Sequence, residues 1–191
     1  MEVTRVFDIL DLYKSKYKKD DLLCCKENKQ WKKYSSDDFI NYSNWTSYGL
    51  INMGLKPGDK VAIVAHNCPE WVFSDYGCQQ AGIVTVPIFP TISNNDLKFI
   101  LNHAEVKAVF ISDKKIYAKF TEIEKEIPTV KHIISFHKVE GLPYYTDFIE
   151  TAKQNPLEEK TEAIKKSVSP EDLLTILYTS GTTGTDRKSV V

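Results

Sequence analysis

Residues 173–184 read Leu173-Leu174-Thr175-Ile176-Leu177-Tyr178 followed by Thr179-Ser180-Gly181-Thr182-Thr183-Gly184. The first half is an apolar run typical of a buried strand. The second half is rich in glycine and hydroxyl side chains. Glycines allow successive backbone N–H groups to turn toward one anion, and Ser and Thr hydroxyls add further donors. The stretch therefore predicts a strand that leads directly into a phosphate-binding loop, which is typical of a nucleotide-binding α/β fold.

Two other phosphate-binding motifs do not match this segment. If Lys188-Ser189 ended a Walker A loop, Arg187 and Thr182 would occupy the positions of its two glycines. The dinucleotide fingerprint needs G-x-G-x-x-G and a later acidic residue, and only Gly181 and Gly184 are available. The sequence thus excludes a P-loop and argues against a Rossmann cofactor site.

The segment from Tyr178 to Gly184 resembles the phosphate loop of the adenylate-forming enzymes, which reads Y-T-S-G-T-T-G-x-P-K-G. That superfamily includes acyl-CoA synthetases, adenylation domains of peptide synthetases and luciferases. After Gly184 the sequence departs from the pattern. Asp186 stands where the family has proline, Arg187 where it has lysine, and Lys188 where it has glycine. The positive charge is kept at Arg187, but the rigid turn and the glycine are lost.

The resemblance extends upstream and covers nearly the whole chain. Four further segments resemble the opening of the long-chain acyl-CoA synthetases, the fatty-acid–CoA ligase branch: 54–63 (GLKPGDKVAI), 67–71 (NCPEW), 80–87 (QAGIVTVP) and 169–173 (SPEDL). The resemblance implies that residues 1–191 are the first portion of the AMP-binding, or adenylation, N-terminal domain, truncated just after the phosphate loop.

The resemblance also implies a reaction. Such enzymes activate a fatty acid with Mg-ATP to an acyl-adenylate and then transfer the acyl group to coenzyme A. It assigns ATP binding to Thr179, Ser180, Gly181, Thr182, Thr183 and Gly184, with Arg187 or Lys188 in place of the family's mobile lysine. The sites for Mg²⁺ and coenzyme A, the acyl tunnel and the catalytic lysine are implied to lie beyond residue 191. We therefore assign no catalytic and no metal-binding residue here, and expect the chain alone to be inactive.

Other interpretations of the sequence stay open. The chain is alternatively a non-enzymatic remnant, an interaction module that pairs through an exposed sheet edge, or part of another adenylate-forming enzyme. Acyl chain length and oligomeric state cannot be inferred from the sequence.

Charge and cysteine content narrow the possible partners. The formal net charge is −1, from 25 basic and 26 acidic residues, which gives no field suited to nucleic acid. Cys24, Cys25, Cys68 and Cys78 lack metal-ligand spacing, so reduced thiols and a cytoplasmic location are expected. No signal peptide or transmembrane segment is predicted. The resemblance allows peripheral membrane contact, since the family's substrates are fatty acids.

Apolar runs alternate with helical patterns along the chain, which predicts a doubly wound, mostly parallel sheet with helices on both faces. The predicted strands are 61–65, 83–89, 108–111, 133–136 and 174–178, and a small N-terminal hairpin is predicted around Asn28-Lys29. The helix starts have clear signals: Ser35 with Asp38, Pro69, and Ser93 with Asp96. The polar stretch 153–167 is interpreted as an exposed connector.

The histidines are interpreted as structural. His66 follows a predicted strand at the edge where α/β sheets bind ligands, but no carboxylate or cysteine lies at useful spacing. His103, His132 and His137 lack the helical spacing of a metal pair. The three tryptophans are assigned to packing, because no basic stripe accompanies them.

Overall fold

A computed structural model describes residues 3–179 and 187–190 of the 191-residue chain, the last four as backbone only. The predicted α/β fold is confirmed. The helices are α1 (Asp8–Ser15), α2 (Ser36–Asn52), α3 (Pro69–Gln80), α4 (Asn94–His103), α5 (Lys114–Ile123), α6 (Tyr145–Gln154) and α7 (Glu158–Ser167). The strands are β1 (Leu23–Glu27), β2 (Gln30–Tyr34), β3 (Lys60–Val64), β4 (Val84–Ile88), β5 (Val106–Ile111), β6 (His132–Ser135), β7 (Ile176–Thr179) and β8 (Arg187–Val190).

The central sheet is parallel and has the order β4-β3-β5-β6. Residues 61–64 of β3 and 108–111 of β5 are buried, and these segments carry continuous apolar residues rather than an alternating pattern. Helices α2, α3 and α6 cover one face, and α4 and α5 cover the other. This arrangement is the predicted doubly wound sheet.

Local sequence signals account for several element boundaries. Ser35 and Asp38 form the predicted capping box at the start of α2, and Pro69 is the first residue of α3. The Ser93 side chain caps α4. The hairpin of β1 and β2 turns at Asn28 and Lys29, which both have positive φ, as the tightest hairpin turns require.

The structure corrects the prediction for residues 153–167. They are not an exposed connector, because α6 ends at Gln154 and α7 follows from Glu158 to Ser167. Thr161 is buried, and Ile164 packs against the core that also contains Leu50 and Ile83. Helix α7 is mostly polar and contains few apolar residues. Its sequence therefore shows only a weak helical pattern.

The predicted strand 174–178 joins the sheet only at its beginning. Thr175 forms an isolated parallel bridge with Thr85 of β4, and the backbone N–H of Thr85 donates to Leu174 O at 3.2 Å. Beyond this bridge, β7 pairs with β8 in an antiparallel hairpin. The direction of this strand is therefore as predicted, but its main partner is a strand that the sequence pattern did not indicate.

A buried carboxylate on α3 makes stability depend on pH. Asp75 Oδ2 accepts a hydrogen bond from Gln79 Nε2 at 2.8 Å, and burial raises the pKa of Asp75. The folded chain therefore binds this proton more tightly than the unfolded chain, and this contribution to stability is lost as pH rises through the raised pKa.

We expect Asp75→Asn to be more stable than the parent at neutral pH, because it removes the buried charge and keeps an acceptor for Gln79. The difference should shrink toward about pH 4, near the ordinary pKa of an aspartate. Urea unfolding at both pH values measures it, with exposed Asp20→Asn as control. Equal stabilities at neutral pH would show that Asp75 carries no such cost.

Candidate functional site

Strand β7, which precedes the predicted phosphate loop in the sequence, ends at the carboxyl edge of the parallel sheet. Ile176 is buried and anchors the strand in the core, whereas Thr179, its last residue, is exposed. Because β7 starts parallel to β4, its end points to the edge at which open α/β sheets bind ligands. The strand therefore ends with Thr179, the first of the predicted ATP-binding residues, at this edge of the sheet.

The other predicted ATP-binding residues are Ser180, Gly181, Thr182, Thr183 and Gly184, and all five lie outside the described residues. The register of the hairpin nevertheless shows where the segment starts and ends. Thr179 is paired with Arg187, and Tyr178 with Lys188. The loop is therefore closed by β7 and β8, and the backbones of both candidate cations belong to β8.

Two other strand ends at this edge carry polar side chains. Exposed His66 follows β3, and Ser112 and Asp113 follow β5. Burial raises the pKa of Asp113, but hydrogen bonds from the Ser112 hydroxyl, at 2.9 Å, and from the Lys115 and Ile116 amides outweigh it and lower the pKa. Asp113 therefore acts as the ionised cap of α5.

The loop after β4 forms another part of this edge. Phe89 is 81% exposed, and the chain then turns through Pro90 to Ile92. Lys119 of α5 reaches this turn and donates to Pro90 O at 3.1 Å and to Ile92 O. Helix α5 thus fixes the backbone of the turn.

Three of the four thiols are poorly suited to nucleophilic chemistry. All four cysteines are free, as the sequence predicts. Burial and the charge of Glu70 raise the pKa of Cys68 to about 12, and burial raises the pKa values of Cys25 and Cys78. These thiols are therefore protonated at neutral pH. Within residues 3–179, no three His, Cys, Asp or Glu side chains are grouped so that they could hold a metal ion.

One contact near the loop was missed by the sequence analysis. His103, the last residue of α4, places Nδ1 2.7 Å from the hydroxyl oxygen of Tyr178. Phe99 stacks on His103, with ring centroids 5.3 Å apart, and lies edge-on to Tyr178. No sequence pattern indicates this contact, because the two residues are 75 positions apart and lie on different elements.

The described residues line several cavities, including three of about 400, 640 and 690 Å³. One of about 400 Å³ lies at the amino ends of the strands, beside Gly58, Gln79 and Leu173. Another of about 690 Å³ lies beside the outer strand β6 and is lined by Met53 and Phe148. Neither is lined by Tyr178 or Thr179, the described residues of the phosphate motif. In residues 3–179, no helix combines the length and apolar character needed to cross a bilayer.

Comparison with known sequences supports the motif. The model of the family described as AMP-binding enzyme matches residues 14–190. The chain is 34% identical over 173 residues to long chain acyl-CoA synthetase 5 of Arabidopsis thaliana, covering 84% of this chain and 25% of that protein. It is 31% identical to fatty acyl-CoA synthetase A of Dictyostelium discoideum, covering 71% and 21%. The chain thus spans about a quarter of the length of these curated relatives.

Comparison with solved structures supports the fold. The anthranilate CoA ligase AuaEII, solved in complex with anthranoyl-AMP, superposes with a TM-score of 0.79 at 19% identity, over 96% of this chain and 34% of that one. The N-terminal domain of FACL13 from Mycobacterium tuberculosis gives 0.62 at 22% identity, over 85% and 38%. At these identities the likeness concerns the fold. Together with the family match over residues 14–190, these findings confirm the predicted resemblance, and the chain belongs to the AMP-binding enzyme family.

Proposed function

We propose that residues 1–191 form the first portion of the N-terminal adenylation domain of an ATP-dependent long-chain fatty-acid–CoA ligase. In this proposal Thr179, Ser180, Gly181, Thr182, Thr183 and Gly184 bind the phosphates of ATP. The observation that carries it is the position of Thr179, which β7 brings to the carboxyl edge of the sheet directly before the glycine-rich segment. The curated relatives support a fatty acid as the second substrate.

The proposed reaction begins with attack of the fatty-acid carboxylate on the α-phosphorus of ATP. Negative charge then leaves with pyrophosphate, so donors to the β- and γ-phosphates stabilise the transition state. The hydroxyls of Thr182 and Thr183 supply such donors, and Gly181 and Gly184 allow close backbone approach. The thiol of coenzyme A then displaces AMP and forms the thioester.

Mg²⁺ and coenzyme A belong to this proposal for the intact enzyme. The described residues do not fit a magnesium site, since residues 3–179 contain no suitable group of carboxylates. The chain alone is proposed to lack ligase activity. The non-enzymatic alternative is not favoured, because the family match covers nearly the whole chain.

We expect Thr182→Val to weaken binding of ATP to the 191-residue chain by about tenfold or more, because a hydrogen bond to a charged group contributes about 1.5–3 kcal/mol. Gly184→Val should weaken it by blocking backbone approach. Binding of the parent itself should be weak, since small-ligand affinity needs most of the ligand surface enclosed. NMR titration with millimolar ATP measures affinities in this range.

The matched control is Thr146→Val, because Thr146 is an exposed threonine in α6. It should bind ATP like the parent. Equal ATP affinity of the parent and both loop variants would contradict the assignment of the phosphate site. Formation of acyl-CoA by the purified chain would contradict the proposed lack of activity.

A further inference from the structure

We propose that His103 is a positioning residue for Thr179, the first residue of the phosphate motif, and acts through Tyr178. The inference rests on the proposed function, since it assigns to α4 a role in positioning the start of that motif. It adds a residue distant in sequence from the phosphate motif.

Strand β7 is attached to the central sheet near its beginning. The strand is bound to β4 near Thr175, where Thr175 Oγ1 donates to Thr85 O at 3.0 Å. From Ile176 onward its backbone ladder is with β8. The backbone pairing with the central sheet is thus made before the strand reaches the loop, and Thr179 depends on other contacts for its position.

The end of β7 contacts α4 through the side chain of Tyr178. Tyr178 immediately precedes Thr179, and its hydroxyl lies 2.7 Å from His103 Nδ1. The two rings are nearly perpendicular, at 85° with centroids 5.8 Å apart. Phe99 completes the cluster, stacking on His103 at an angle of 23°. A directed hydrogen bond and two ring contacts therefore join the end of β7 to α4.

Helix α4 itself is firmly packed. Leu97, Ile100 and Leu101 are buried in the core, so the helix is fixed against the sheet. Its own N-terminus is capped by Ser93. A side chain on such a helix holds its partner more firmly than a side chain on a surface loop does. The contact with His103 therefore restrains Tyr178 relative to the core of the sheet. Because Thr179 follows Tyr178 directly, its backbone is restrained as well.

The test compares three variants with the parent by NMR titration with ATP. His103→Leu removes the hydrogen-bonding atom, Tyr178→Phe removes the hydroxyl, and His103→Asn keeps a polar atom near the position of Nδ1. We expect each of the first two to weaken ATP affinity by about three- to tenfold, as for loss of one neutral hydrogen bond. His103→Asn should restore most of it. The double variant should be no weaker than either single variant, because both remove the same interaction.

A matched histidine control and urea unfolding separate positioning from folding. His137→Leu, an exposed site after β6, should bind ATP like the parent. Urea midpoints should change little in Tyr178→Phe, so its loss of affinity would not reflect unfolding. If the parent binds ATP through Thr182 and both single variants bind equally well, this inference is wrong and the proposed function stands. If the parent shows no ATP binding, both are wrong.

Discussion

Replacing Phe110 with alanine should destabilise the domain by about 3–5 kcal/mol, the range for a fully buried phenylalanine. Phe110 lies on β5 and has no exposed surface. Its ring stacks on Phe136, with centroids 5.7 Å apart, and meets Tyr145 and Phe148 edge-on at 6.0 Å. The substitution would leave a cavity between the sheet and α6. Since a whole domain is stabilised by about 5–15 kcal/mol, a large share of the stability would be lost.

Urea unfolding followed by tryptophan fluorescence measures this loss. The matched control is Phe89→Ala, which makes the same chemical change at a side chain that is 81% exposed. We expect the control to change the free energy of unfolding by less than about 0.5 kcal/mol, as for ordinary surface sites. A difference below about 1 kcal/mol between the two variants would contradict the position of Phe110 in the core.

Gly77→Ala should also be strongly destabilising, because α2 and α3 are in close contact at Gly77. A Cβ on Gly77 would lie 2.5 Å from Thr46 Cβ and 2.9 Å from the backbone oxygen of Ser43. The Ser47 hydroxyl donates to Gly77 O at 2.9 Å across the same contact. Alanine gains about 1 kcal/mol in helix propensity, but overpacking against backbone costs typically 1–3 kcal/mol and occasionally more. We expect a net loss.

Gly49→Ala is the matched comparison for Gly77→Ala. Its Cβ would also meet an obstacle, the ring of Phe148 at 2.2 Å, but that ring is the end of a half-buried side chain and can rotate away. We therefore expect Gly49→Ala to be clearly less destabilising than Gly77→Ala in the same urea experiment. If Gly49→Ala were the more destabilising variant, the close backbone contact between α2 and α3 would not be the main cause of the destabilisation.

The elements that the sequence predicts correctly are those determined by near neighbours. The capping box of Ser35 and Asp38, Pro69 at a helix start and the turn at Asn28-Lys29 all act over a few residues. The parallel sheet follows from the same kind of information, because buried apolar strands must alternate with helices that cover them.

The features that the sequence did not predict depend on distant partners. Helix α7 is mostly polar, and its stability comes from packing of Thr161 and Ile164 on other elements. Strand β7 pairs with β8 beyond its bridge to β4, and this choice of partner depends on the arrangement of the strands in space. The contact of His103 with Tyr178 joins two separate elements. The phosphate motif itself was recognised from residues 178–184, and its role in binding ATP stays a prediction.

The central claim is that the segment after β7 binds the phosphates of ATP. The most direct measurement is a ¹H–¹⁵N NMR titration of the assigned 191-residue chain with ATP, and separately with inorganic pyrophosphate. We predict that both ligands shift the amide signals of Ser180 to Gly184, and that these residues rank in the same order of shift size with either ligand. The amide signals of β6 and α6, at the other side of the sheet, should not shift. Shifts confined to residues remote from β7, or no shifts with either ligand at millimolar concentration, would contradict the claim.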